Sequence, residues 1–80
     1  MEIQFYGVLQ QVVGQSTVQL AGLPSGAQAA EVLRHLGDEY PELAEHLPRV
    51  ACAQGDSLIR RDQPIDPNQA LVLLPPVSGG

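Results

Sequence analysis

The sequence predicts an α+β domain in which a mixed sheet is crossed by one main helix. Three observations carry that prediction. Residues near both ends show the two-residue alternation of strands, whereas one central stretch shows helical spacing. Gly- and Pro-containing breaks separate these stretches. The most apolar run, Leu71-Val72-Leu73-Leu74, comes last and is apolar at every position, as in a central strand covered on both faces.

The elements follow in order. From Ile3 to Leu9 the residues alternate, with Ile3, Phe5, Gly7 and Leu9 on one face, which predicts a first strand. Gly14-Gln15-Ser16 reads as a turn and Thr17 to Leu20 as a second strand, close enough for an antiparallel hairpin. Ala21-Gly22-Leu23-Pro24 is a break. Ser25-Gly26-Ala27-Gln28 has the Ser-x-x-Gln pattern of a capping box, which satisfies free backbone donors at a helix start. Ala29, Val32, Leu33 and Leu36 then share one helical face, and Gly37 is suited to end the helix in a left-handed cap. Pro41 to Leu47 reads as a further short helical piece with proline in its first turn. Arg49 to Ala53 is a third strand with Val50 and Cys52 on one face. After the Gln54-Gly55-Asp56 turn, Ser57 to Arg60 is a short strand, placed at an edge because Arg60-Arg61 would discourage pairing. Asp62 to Asn68 is a loop, and Ala70 to Leu74 the final strand.

Length and charge narrow the function. Eighty residues make one small domain, 1–80, with a modest core. A net charge of −5 opposes binding to nucleic acid or to anionic membrane. No lysine is present, since Arg34, Arg49, Arg60 and Arg61 account for all four basic residues, so the domain offers no side-chain amine for isopeptide linkage to itself. The single cysteine, Cys52, has no internal disulfide partner. Met1-Glu2-Ile3-Gln4 is not a basic region leading into an apolar run, and no stretch approaches the length of a bilayer span. A soluble cytoplasmic protein is the expectation.

Catalytic groupings are missing. His35 and His46 lack Cys or His partners at metal-ligand spacing and read as surface residues on helices. Cys52 alternates with exposed neighbours and reads as a small buried hydrophobe. No phosphate-cradling glycine loop occurs. Glu31, Asp38, Glu39, Glu42 and Glu45 read as a solvated face, with docking as the alternative.

What remains is the end of the chain, Pro75-Pro76-Val77-Ser78-Gly79-Gly80. Proline fixes φ and removes a donor, so Pro75-Pro76 ends the last strand and starts an extended neck. Six extended residues reach about 20 Å. Gly79 and Gly80 carry no side chains, so they suit a confined slot in another protein. With Gly80 taken as terminal, its carboxylate is the group available for chemistry. A carboxylate is a poor electrophile until it becomes a mixed anhydride such as an acyl-adenylate. The domain binds no cofactor of its own, so a separate enzyme must bring ATP. The activated glycyl group could then accept an amine, a thiol or sulfide.

The order of elements resembles the β-grasp, or ubiquitin-like, fold, in which the last strand lies beside the first and the C-terminus leaves as a free tail. The ending Leu74-Pro75-Pro76-Val77-Ser78-Gly79-Gly80 resembles that of the small subunit of molybdopterin synthase, the MoaD branch of the MoaD/ThiS sulfur carriers. Phe5-Tyr6-Gly7-Val8-Leu9, Ala30-Glu31-Val32-Leu33-Arg34 and Pro64-Ile65 resemble the family's first strand, main helix and approach to the last strand. The chain departs from the pattern at Gln10-Gln11, Ala53-Gln54, Asn68-Gln69 and Leu73-Leu74. The resemblance implies that an adenylating enzyme related to ubiquitin-activating enzymes activates Gly80 with ATP. Sulfur then converts it to a thiocarboxylate, which is donated to cyclic pyranopterin monophosphate in the large, catalytic subunit. It also implies a heterotetramer, with Gly79 and Gly80 at the chemistry. Phe5, Leu9, Leu58, Leu74, Pro75, Pro76, Val77 and Ser78 are the expected tail and partner residues, with filling of the core as the alternative for Phe5 and Leu9 and the favoured one for Phe5. The alternatives are a carrier for thiamin thiazole or another sulfur metabolite, a ubiquitin-like protein modifier, and a plain interaction module.

Overall fold

The computed structural model describes residues 1–76. Val77, Ser78, Gly79 and Gly80, and with them the expected end of the tail, lie outside the described residues. Five strands form one sheet: β1 (Glu2–Phe5), β2 (Thr17–Gln19), β3 (Ala51–Gln54), β4 (Ser57–Ile59) and β5 (Leu71–Leu74), in the order β2-β1-β5-β3-β4. The expected placement of the last strand is borne out. β5 is central, parallel to β1 with Phe5 opposite Leu73, and antiparallel to β3 with Cys52 opposite Leu73. β4 is an edge strand, as the arginine pair suggested. This is the α+β architecture of the β-grasp fold.

Alternation along the strands decides which face meets the helix. Ile3, Phe5, Val18, Cys52, Leu71 and Leu73 point into the core. The main helix, α2 (Ala29–Glu39), covers them with Ala29, Val32, Leu33 and Leu36, the face expected from the spacing. Single-turn 3₁₀ segments at Pro41–Leu43 and Leu47–Arg49 close the core with Leu43 and Leu47, where a short helical piece was expected.

Four local expectations are corrected. The first strand stops at Phe5, and Val8–Val13 forms a helix, α1, instead of continuing it. Leu9 therefore reaches the core from a helix, with Val12 and Val13 packed behind it. β1 and β2 pair antiparallel as expected, with Ile3 opposite Val18, but their connection thus contains a helix rather than a tight turn. The capping box does not form either. The α2 N-cap is Gln28, without a side-chain cap bond. The free donors at this end go instead to the loop after β4: Ala29 N–H to the Gln63 carbonyl (3.0 Å) and Ala30 N–H to the Arg61 carbonyl (2.9 Å). A tertiary contact thus performs the cap's task.

Gly37 stays inside α2, which ends at Tyr40 with its N–H bonded to the Leu36 carbonyl. A Cβ on Gly37 would lie 3.3 Å from Leu47 Cδ1, so this glycine makes room for the 3₁₀ segment instead of stopping the helix. The third strand begins at Ala51, because Arg49 belongs to the preceding 3₁₀ turn.

Two polar anchors hold the connections. Gln54, buried in β3, donates to the carbonyls of Asp66 (2.9 Å) and Gln69 (3.2 Å) and accepts from Asp66 N–H (2.8 Å). One amide thereby satisfies three backbone groups of the loop entering β5. Arg61 donates to the carbonyls of Leu47 (2.7 Å) and Val50 (3.0 Å), fixing the turn that leads into β3.

Candidate functional site at the end of the central strand

Strand parity builds this site. Val72 and Leu74 alternate with the buried Leu71 and Leu73, so they stand on the sheet face away from α2. Register aligns Gln4, Val72, Ala53 and Leu58 in one row across that face. Leu74 pairs with Ala51 in the next row, which Tyr6 and Arg60 extend as the residues following Phe5 and Ile59. No helix among the described residues is placed on this side of the sheet. On this face Leu58 is 70% exposed and Tyr6 51%; Val8, in the first turn of α1, is 46% exposed. The open face is therefore an apolar strip with Arg60 at its margin, held to Asp62 at 3.0 Å.

The chain leaves β5 at one end of this strip. Pro75 is partly buried and Pro76 exposed. Beneath Pro75 lies Gly7, the residue between β1 and α1, with φ 61° and ψ −136°. That backbone conformation strains any residue with a Cβ by about 1–3 kcal/mol. A Cβ there would also sit 2.9 Å from Pro75 Cγ. The proline ring occupies the space that a side chain at position 7 would need.

The expected site residues divide accordingly. Leu74, Pro75, Pro76 and Leu58 lie on or beside the open face. Phe5 and Leu9 do not: both are fully buried, so they fill the core, the alternative favoured for Phe5, and present no side chain to a partner. Their exposed neighbours are Tyr6, which extends a row of the open face, and Val8, in the first turn of α1. They went unnoticed because continued strand parity placed Leu9 with Phe5, whereas the start of α1 changes the period. Val77, Ser78, Gly79 and Gly80 lie outside the described residues.

Other groups offer less chemistry. Cys52 is 3% exposed, as expected of a small buried hydrophobe. Burial pushes its thiol above the ordinary range, and the charge of Arg61 opposes this only in part. No cluster of His, Cys, Asp and Glu able to hold a metal ion occurs among the described residues. Nor is any helix among them long and apolar enough to cross a membrane. A pocket of about 360 Å³ lies between Met1, Leu20, Leu23, Pro24, Ile65 and Pro67. It sits at the start of β1, the opposite end of the sheet from Pro75.

Fold and exit point together define a ubiquitin-like β-grasp domain whose central strand ends in a proline neck beside an uncovered apolar face. Residues 3–80 match the model of the ThiS family, and the chain belongs to that family of sulfur-carrier-fold proteins. Among curated proteins, none matches the chain significantly by sequence.

Solved structures agree on the fold. SAMP1 from Haloferax volcanii has a TM-score of 0.83 and 23% identity, covering 100% of this chain and 98% of that one. A protein–protein complex of subunits 1 and 2 of molybdopterin-converting factor from Helicobacter pylori contains a chain 28% identical, with a TM-score of 0.66 and coverage of 99% and 96%. The BexX/CysO complex of Amycolatopsis orientalis contains a match at 16% identity and TM-score 0.75, covering 99% and 98%.

Proposed function

We propose that this chain is the cytoplasmic sulfur-carrier subunit of a molybdopterin synthase. The observation that carries the reading is the exit of Leu74-Pro75-Pro76 from the central strand beside an apolar face; in sequence they are followed by Val77-Ser78-Gly79-Gly80. The 28% identity to a chain of the molybdopterin-converting-factor complex supports the choice of pathway.

The chemistry follows from the terminal carboxylate. A Gly80 oxygen attacks the α-phosphorus of ATP on an adenylating enzyme, and pyrophosphate leaves. A sulfur nucleophile then attacks the glycyl carbonyl and AMP leaves, giving the thiocarboxylate. If the sulfur arrives as a protein persulfide, a second thiol must cleave the S–S bond to release it. The thiocarboxylate sulfur then attacks an oxygen-bearing side-chain carbon of cyclic pyranopterin monophosphate in the large subunit; as the C–S bond forms the C–O bond breaks, and the oxygen leaves as water or as a freed phosphate oxygen. Hydrolysis of the resulting acyl link returns the carboxylate. This chain contributes no acid or base to those steps. It supplies the docking face formed by Tyr6, Val72, Leu74 and Leu58, and a terminus slim enough to enter both active sites. Two such chains on a large-subunit dimer complete the assembly we propose.

Intact-mass measurement after incubation with ATP, a sulfur source and the host's adenylating enzyme tests the reading. The expected result is a gain equal to sulfur replacing one oxygen, abolished by deletion of Gly80. Charged protein should then convert cyclic pyranopterin monophosphate when the large subunit is added. Charging without that conversion would leave a sulfur carrier and overturn the molybdopterin assignment. Adducts on protein lysines in place of thiocarboxylate would indicate a modifier.

A further inference from the structure

A close approach between the neck and the body of the domain involves a residue that the chemistry above does not use. β1 and β5 are parallel, with Phe5 opposite Leu73, so both strands run out at the same end of the sheet. There the two chains must part. The first turn of α1 carries one of them away, with Leu9 N–H bonded to the Tyr6 carbonyl and Gln10 N–H to the Gly7 carbonyl. The other passes over Gly7, where a Cβ would meet Pro75 Cγ at 2.9 Å, Cδ at 3.7 Å and Cβ at 4.0 Å. Three ring carbons of Pro75 thus lie against one bare Cα. The ring has a fixed φ and donates no hydrogen bond, so its direction is set by packing and by its own covalent geometry.

We propose that Gly7 and Pro75 form a latch that sets the direction in which the tail leaves the sheet, making Gly7 a positioning residue for entry of Gly80 into a partner's active site. The inference rests on the sulfur-carrier reading. Four residues follow Pro76, and four residues span at most about 14 Å. The direction of the backbone at Pro75 sets where such a short segment starts, and so the volume its tip can reach. Holding the base reduces the directions the tail must search once the face has docked. Face docking and tail entry are thereby separable. The apolar strip governs encounter with the partner, and the latch governs the step after it.

The test uses Gly7→Ala, Pro75→Ala and the double variant in the full chain. Each is assayed for urea unfolding and for charging by the adenylating enzyme, read by intact mass over a range of carrier concentrations. Wild-type, Gly7→Ala and Pro75→Ala proteins are also compared by NMR for a nuclear Overhauser contact between Gly7 Hα and the residue 75 side chain. The expected result is a fall in kcat of about tenfold for each single variant, with KM nearly unchanged. The double variant should be no worse than the worse single, because both substitutions break one contact.

Full kcat in folded Pro75→Ala, or losses that multiply in the double variant, would overturn the latch. Pro75→Ala introduces no strain at position 7, so it decides the matter even if Gly7→Ala fails to fold. Wild-type protein that is never charged would overturn the carrier reading instead. The latch would then stand or fall on the Gly7–Pro75 Overhauser contact alone.

Discussion

Leu73→Ala probes the structural assignment on which the docking face depends. Leu73 is fully buried in β5, opposite both Phe5 and Cys52, one residue before the open-face Leu74. Truncation removes three carbons, worth about 2.4 kcal/mol of transfer free energy at roughly 0.8 kcal/mol each. Incomplete collapse of the cavity raises the cost to about 3–4 kcal/mol, within the usual range for buried leucine. A domain of this size has about 4–12 kcal/mol in total, so the variant loses a large share of its stability. In urea, with a slope near 1 kcal/mol/M for so small a chain, the midpoint should fall by about 3 M. Leu58→Ala, at a position 70% exposed, is the control and should shift stability by less than about 0.5 kcal/mol. Under the proposed function, affinity for the large subunit should respond in the opposite order, with Leu58→Ala weakening it and Leu73→Ala, wherever folded, leaving it nearly intact. Equal midpoints for the two variants would refute the reasoning. A one-residue slip in β5 exchanges its two faces, so it would put Val72 and Leu74 in the core and Leu73 outside.

Further expectations follow from the same geometry. Tyr6→Asp or Leu58→Asp should weaken capture by the large subunit at least about tenfold, measured by calorimetry, while the urea midpoint stays near wild type. Gln54→Ala should cost about 1–3 kcal/mol in urea unfolding, because it strips partners from the backbone of Asp66 and Gln69. The Cys52 thiol is raised by burial, so the native state keeps its proton after the unfolded chain has lost its own. Stability is unaffected below the ordinary thiol range. It should decline as pH rises from that range towards the raised native value, by up to about 1.4 kcal/mol per pH unit. Cys52→Ala should remove that decline from a pH series of urea melts.

Much of the fold was legible because burial imposes period on sequence. Ile3 and Phe5, Val18 and Leu20, the α2 stripe and the run at Leu71–Leu74 each show the spacing their element requires. The α1 helix escaped because two periods overlap there. Phe5, Gly7 and Leu9 fit a strand, whereas Leu9, Val12 and Val13 fit a helix, and the break lies at Gly7. The start of α2 was misread because Gln63 and Arg61, far off in sequence, cap it. Gly37 was misread because the need for a small residue there arises from Leu47 and Ala44. Of the candidate site, the neck was legible in its prolines. The open face was not, since its rows come together only through the register of β1, β5, β3 and β4.

The central position of β5 has a mechanical consequence. A partner that grips the tail and pulls along the strand loads two ladders at once, one to β1 and one to β3. Those ladders must shear together, whereas an edge strand such as β4 would peel away from its single neighbour one pair at a time. The domain is thus a handle spliced into its own tether at an interior strand of the sheet. A large enzyme drawing the terminus in or out of a tight channel would move the body as a unit instead of unravelling it.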